Sequence, residues 1–118
     1  MAIVRPFRAV RPAKEKAERV IALPYDVMNR EEAAEMAKGN PDSFLHISRA
    51  EIDLPGEIDP YSRSVYEKGR DNIQAFLKSG VLLEEEKPAL YIYRQQMEGR
   101  FQTGIVGCCS IDAYANND

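Results

Sequence analysis

The hydrophobic and polar positions of the chain follow a helical period through most of its length and a period of two near its end. The longest helical pattern covers residues 62–79 and ends at Gly80, and its apolar positions define a stripe on one face: Tyr66, Gly69, Ile73, Phe76 and Leu77. Residues 89–96 and 100–111 alternate on either side of a turn that contains Glu98 and Gly99. This pattern predicts a β-hairpin.

A second helix is predicted to begin within the segment ALPYDVMNREEA, residues 22–33. Asn29 can accept a hydrogen bond from the backbone of Glu32 while the Glu32 carboxylate returns one to Asn29, which is a capping box. Met28 stands where a hydrophobic staple packs on Ala33. Asp26 lies before the cap and outside this scheme, so it remains a candidate for chemistry.

The other elements are shorter. Pro6 confines an opening strand in residues 2–10 to a sheet edge, and residues 12–22 predict a short helix. Residues 43–49 alternate as a strand does, and an acidic loop follows at residues 50–60. Gly104 and Gly107 predict a bulge or a close backbone approach. The pattern as a whole predicts an α+β fold, with short helices packed on a small, mainly antiparallel sheet that includes a C-terminal hairpin.

Length and charge limit the classes of function. A chain of 118 residues fits a single domain, residues 1–118, that buries enough surface to fold without a cofactor, and none is expected. The net charge of −3 argues against a nucleic-acid partner, although residues 1–20 hold six basic side chains against two acidic ones. No stretch is apolar enough to span a membrane or to serve as a signal peptide, which favours the cytoplasm.

The cysteines and the single histidine offer little for metal chemistry. Cys108 and Cys109 are adjacent, so they are expected to be reduced, and the pattern favours buried structural thiols over a redox pair. A zinc site needs about four cysteine or histidine ligands, which is more than this chain offers, so no metal site is predicted. No catalytic residue is predicted either. His46 suits acid–base work near neutral pH, but a hydrogen-bonded structural role is favoured because no nucleophile motif accompanies it.

Five residues are therefore candidates for binding a ligand, and none of them is assigned a catalytic role: Arg5, Arg8, Tyr25, Asp26 and His46. Arginine is the best side chain for a planar anion, although a run of basic residues is more often a solvated face. If these candidates form one wall, we expect Arg5, Asp26 and His46 to converge in space.

Four segments carry a resemblance that covers nearly the whole chain: IVRPFRAVRPAKEKAERVIALPYDVMN, GNPDSFLHISRAEIDLP, DPYSRSVYEKGRDNIQAFLKSGVLLEEEKPALYIYRQ and QTGIVGCCSIDAY. They resemble the bacterial and archaeal family called domain of unknown function 1015. The resemblance implies that this chain is the N-terminal region of a longer protein. In the longer members, an Asp-Gly-His-His-Arg segment similar to those of ParB-like nucleotide-using proteins lies downstream, and this chain contains no such segment.

Three hypotheses for function follow. The first is a scaffold or partial ligand-binding domain of a larger cytosolic protein, with a downstream domain of the same protein as its partner. The second is an interaction or dimerisation module that uses the hairpin edge or the face of Tyr91 and Tyr93, which makes a homo-oligomer possible. The third, implied by the resemblance, is a part of a nucleotide-dependent phosphoryl-transfer enzyme whose active centre lies downstream.

Overall fold

The structure is a computed structural model that describes residues 3–115. Its strands are β1 (Val4–Arg5), β2 (Val10–Pro12), β3 (Leu82–Glu84), β4 (Tyr91–Met97), β5 (Arg100–Val106) and β6 (Cys108–Cys109). Its α-helices are α1 (Ala17–Val20), α2 (Arg30–Ala37), α3 (Leu45–Ser48), α4 (Arg63–Ser79) and α5 (Ile111–Ala115). Short 3₁₀ helices cover Lys14–Lys16, Tyr25–Val27 and Ala50–Asp53. The predicted α+β class is confirmed.

The strands pair as three two-stranded ladders, β1 with β6, β2 with β3 and β4 with β5. The chain divides into two compact units. We call residues 3–10 and 84–115 the hairpin unit, and Arg11–Leu83 the helical unit. Each is described separately.

The helical unit holds two apolar clusters. One joins α1 to the second half of α4 through Val20, Phe76, Val81 and Leu82. The other places Met28 and Leu45 against the two buried alanines of α2, Ala33 and Ala37. Met28 and Ala33 thus share a cluster, as the predicted staple requires.

The two long predicted helices are present. Asn29 caps α2, because its side chain accepts from Glu32 N at 2.8 Å and the Glu32 carboxylate accepts from Asn29 N at 3.2 Å. Helix α4 ends at Gly80, whose φ of 83° is left-handed and favours glycine. The predicted stripe on α4 is only partly right, since Phe76 is buried but Tyr66 is 62 % exposed.

The strand predicted at residues 43–49 is wrong, because this segment forms α3. Leu45 N donates to Ser43 Oγ at 3.2 Å, and Arg49 N closes a helical turn on Leu45 O at 2.8 Å. Leu45 enters the cluster of α2, whereas Ile47 packs on the cluster of α4. A helix held between two apolar clusters gives the same alternation as a strand, so period alone could not separate the two.

The hairpin unit contains the predicted hairpin. β4 and β5 pair in antiparallel register from Tyr91 with Val106 to Met97 with Arg100. The turn residues Glu98 and Gly99 have φ of 52° and 78°, as a two-residue turn of the I′ class requires. At the base of the hairpin, the Tyr91 hydroxyl donates to Phe7 O at 2.9 Å and accepts from Ala9 N at 3.0 Å.

The predicted burial of the cysteines is wrong. Cys108 and Cys109 form β6, which pairs with Val4 and Arg5 of β1, and both thiols are free and exposed. The sequence favours burial because it places neither a helix N-terminus nor a basic cluster beside the cysteines. In the structure every residue of β5 is exposed, so this stretch of chain does not enter a core.

Candidate functional site

The structure divides the five candidate residues between the two units. Arg5 and Arg8 belong to the hairpin unit, whereas Tyr25, Asp26 and His46 belong to the helical unit. The convergence of Arg5, Asp26 and His46 therefore stays a prediction.

In the hairpin unit, Arg5 and Arg8 have different surroundings. Arg5 lines a cavity of about 320 Å³ together with Ile3, Cys108, Cys109 and Ser110. Arg8 pairs with the Glu84 carboxylate at 3.1 Å and donates from Nε to Glu85 O at 2.7 Å. Arg8 thus links the first segment of the hairpin unit to the segment that begins at Glu84. This structural role explains Arg8 without a ligand.

In the helical unit, His46 is held from both sides of its ring. Nδ1 lies 2.9 Å from both carboxylate oxygens of Asp53, and Nε2 lies 3.0 Å from Asn40 O. Asn72 Nδ2 donates to Asp53 Oδ2 at 3.0 Å and to His46 O at 2.6 Å. Each ring nitrogen therefore faces an oxygen atom of the protein at hydrogen-bonding distance.

This arrangement supports the structural role of His46. A general base needs a ring nitrogen that can take a proton from a substrate, and here both nitrogens are engaged by the protein itself. The side chain joins α3, the 3₁₀ turn of Asp53 and helix α4 through Asn72. His46 also lines a cavity of about 370 Å³, with Asp53 and the end of α2 beside it.

Tyr25 lines a different and larger cavity, of about 630 Å³, in the helical unit. Two further tyrosines, Tyr61 and Tyr66, line it, and the three side chains are 60 %, 79 % and 62 % exposed. Its apolar wall comes from α3, α4 and the 3₁₀ helix Ala50–Asp53, with these residues: Ile47, Ala50, Val65 and Ile73. Asp26 follows Tyr25 in the same 3₁₀ turn and is itself exposed.

The same cavity contains a buried ion pair. Arg49 Nε lies 2.8 Å from Glu51 Oε1, and the two side chains are only 19 % and 6 % exposed. Arg49 Nη1 also donates to Tyr25 O at 3.4 Å. The pair therefore connects the turn that presents Tyr25 to the wall of the cavity.

The wall of this cavity includes a glycine of α4 that faces α3 and the following 3₁₀ helix. A Cβ atom added to Gly69 of α4 would lie 3.4 Å from Ile47 O and 3.7 Å from Ala50 Cβ. Both are ordinary van der Waals distances, so α4 packs directly on this part of the wall.

Several cavity residues were not among the candidates from sequence. Arg49, Glu51, Tyr61 and Tyr66 come from three separate segments, and no motif links them. Tyr66 was assigned to a buried stripe, and its exposure depends on how α4 lies against α3. Arg30 was also missed, and it donates to Glu51 O at 3.1 Å and Leu54 O at 2.7 Å, so it fixes the loop next to the cavity.

Within residues 3–115, no three histidine, cysteine or acidic side chains are grouped as a metal site would require. In the same part of the chain, no helix is long and apolar enough to cross a membrane. The cytoplasmic location inferred from sequence stays a prediction.

These features define an α+β chain with a cavity of about 630 Å³ that is lined by three tyrosines. The chain belongs to the family described as "Protein of unknown function (DUF1015)", whose family model matches residues 4–118. The resemblance noted from sequence is thereby confirmed. No curated protein and no solved structure shows significant similarity to the chain.

Proposed function

We propose that the chain is a ligand-binding scaffold whose site is the tyrosine-lined cavity of the helical unit. The observation that carries the proposal is the set of three exposed tyrosines around an apolar wall that holds a buried ion pair. A volume of about 630 Å³ is that of a typical small-molecule site, and such sites combine apolar walls with a few fixed polar groups.

The chemistry of the lining indicates the kind of ligand. Tyrosine rings offer flat apolar faces and hydroxyl groups, so they favour a ligand with a planar body. Arg49 is paired with the buried Glu51, whereas Arg70 pairs with Asp71 at the rim and its side chain is 60 % exposed to solvent. A planar ligand with one anionic group therefore fits best. We also propose that a downstream domain of a longer cytosolic protein completes the site.

The test is a thermal-shift and NMR screen with adenine and guanine nucleotides and with simple aromatic carboxylates. A ligand at 100 times its dissociation constant stabilises the native state by about 2.7 kcal/mol. Binding should shift the amide signals of the cavity lining and should fall at least tenfold in Tyr25→Ala. Tyr93→Ala is a matched control, because Tyr93 is 58 % exposed but belongs to the hairpin.

Two outcomes would contradict the proposal. One is a screen in which no probe stabilises the chain or its longer form. The other is binding that Tyr25→Ala and Tyr93→Ala weaken equally. If the ligand is a nucleotide, the result favours the hypothesis of a nucleotide-dependent enzyme. If the ligand is an aromatic carboxylate, the result does not favour that hypothesis.

A second candidate function is dimerisation through the hairpin. All seven residues of β5 are exposed, and so are all of β4 except Tyr91. Four large apolar side chains of the hairpin are more than 60 % exposed: Ile92, Met97, Phe101 and Ile105. A two-stranded hairpin is only marginally stable in water by itself, so an exposed apolar hairpin favours association. Light scattering over a range of concentrations tests this function, and a monomer throughout would exclude it.

A further inference from the structure

The outer edges of the β4–β5 hairpin have no partner strand among the described residues. Within residues 3–115, the β4–β5 ladder has only two strands, so each strand presents a backbone edge to which another strand can add. The two edges differ in the side chains that flank them.

One face of the hairpin carries an apolar pair at one end, a polar pair in the middle, and Phe101 opposite Gln96 at the other end. Ile92 lies opposite Ile105, and they are 77 % and 75 % exposed. In the middle, Arg94 lies opposite Thr103 and donates to its hydroxyl from Nε at 3.3 Å. The Arg94 guanidinium also lies 5.5 Å from the centre of the Phe101 ring.

We propose that the chain forms a two-fold dimer in which β5 of one copy pairs antiparallel with β5 of a second copy, with Thr103 opposite Thr103. This rests on the proposed dimerisation, and it adds the edge and the register. Pairing about Thr103 uses all seven residues of β5. It places Phe101 of each copy opposite Ile105 of the other, and these aromatic and β-branched pairs favour a sheet.

The same register places no like charges directly opposite each other on the paired strands. Arg100 of each copy lies opposite Val106 of the other, on the face that carries Gly104. The new four-stranded sheet has two apolar rows, each made of Ile92 and Ile105 from one copy and Phe101 from the other. Between them the two Thr103 side chains meet, and threonine pairs on neighbouring strands are also favourable.

The edge of β4 is disfavoured by its charge. Its seven residues are centred on Arg94, so full pairing of β4 with its copy would place two Arg94 side chains directly opposite each other. Like charges in that position are destabilising. The sequence therefore selects the β5 edge for a symmetric pair.

Disulfide trapping tests the register directly. Both native thiols are exposed, so they are first removed from the full chain by Cys108→Ser and Cys109→Ser. Thr103→Cys is then introduced into this background. Opposed residues of an antiparallel pair have their α-carbons about 4.5 to 5.5 Å apart, a distance that a disulfide can bridge. We expect mild oxidation to convert most of the Thr103→Cys chain into a covalent dimer. Gln96→Cys on β4, in the same background, should remain largely uncross-linked.

A second pair of variants tests the interface without cross-linking. Ile105→Lys places a charge against Phe101 of the other copy, whereas Ile92→Lys places the same charge on the outer strand. The two isoleucines are almost equally exposed, so each variant is the control for the other. We expect Ile105→Lys to weaken the dimer at least tenfold and Ile92→Lys to change its dissociation constant by less than threefold. Amide NMR spectra confirm that the hairpin is folded in both.

The outcomes separate this inference from dimerisation in general. A monomer at every concentration overturns both. A dimer that cross-links at Gln96→Cys, or at neither position, overturns the β5 register and leaves dimerisation standing. Equal weakening by Ile105→Lys and Ile92→Lys also overturns the register. Efficient trapping at Thr103→Cys together with selective weakening by Ile105→Lys supports it.

Discussion

Replacing Gly107 by alanine tests whether the hairpin unit is held together where β5 passes into β6. A Cβ atom at this position would lie 2.9 Å from Leu90 Cδ2, 2.9 Å from Val4 Cγ1 and 3.3 Å from Arg5 O. Carbon atoms in contact normally stand about 3.5 to 4.0 Å apart, so each neighbouring carbon would have to move by about 0.6 Å or more. Val4 is branched at Cβ and Arg5 O is backbone, so neither can turn away freely.

Overpacking of this kind typically costs about 1 to 3 kcal/mol. We expect Gly107→Ala to lose about 2 kcal/mol, which lowers the urea midpoint by about 1 M at a slope near 2 kcal/mol per M. The measurement is urea unfolding followed by the amide signals of residues 91–106, which report on the hairpin unit itself.

Gly104→Ala is the matched control, because no atom lies within 4 Å of its added Cβ and the residue lies only three positions earlier, in β5. It should be neutral or stabilise by about 0.5 kcal/mol, since glycine is the weaker strand residue. If the two variants differ by less than about 0.5 kcal/mol, the packing between β1 and residues 90–107 is not as tight as the structure has it.

Two further substitutions probe local features. Glu98→Asn should stabilise the chain by about 0.5 to 1 kcal/mol, because the left-handed φ of 52° at Glu98 suits asparagine better; an unchanged or lower urea midpoint would contradict this. Glu51→Gln should lower the free energy of unfolding by about 3 kcal/mol, because it leaves Arg49 without its buried carboxylate. A double-mutant cycle with Arg49→Met measures the coupling between the two side chains. A coupling below about 0.5 kcal/mol would show that the ion pair does not stabilise the fold.

The parts of the fold that sequence predicted are those decided by neighbouring residues. The capping box of Asn29 and Glu32 requires two residues that are three positions apart. The left-handed C-terminal end of α4 requires a single residue, Gly80. The hairpin follows from two alternating runs and a Glu98–Gly99 turn. In each case the backbone conformation is set by contacts within a few positions, so a local pattern is sufficient.

The wrong predictions concern contacts between distant residues. Leu45 and Ile47 alternate because they face two separate clusters, and the clusters are built by α2 and α4. Cys108 has an apolar sequence neighbourhood, but nothing local shows that β6 pairs only with β1 among the described strands and leaves the thiols exposed. The cavity could not be predicted either, because Tyr25, Arg49 and Tyr61 meet only after folding.

His46 and Tyr25 show how the structure ranks candidates that sequence alone could not separate. His46 has a role that is complete without a ligand, because both ring nitrogens are bonded and Asn72 fixes the partner carboxylate. Tyr25 has no such internal explanation, since its ring is 60 % exposed at the edge of a cavity that two more exposed tyrosines share. Exposed aromatic rings gathered around an apolar wall lose the benefit of burial unless something fills the space between them. The turn of residues 23–27 therefore presents the ring of Tyr25 to the proposed site, and Asp26 follows that ring in the same turn.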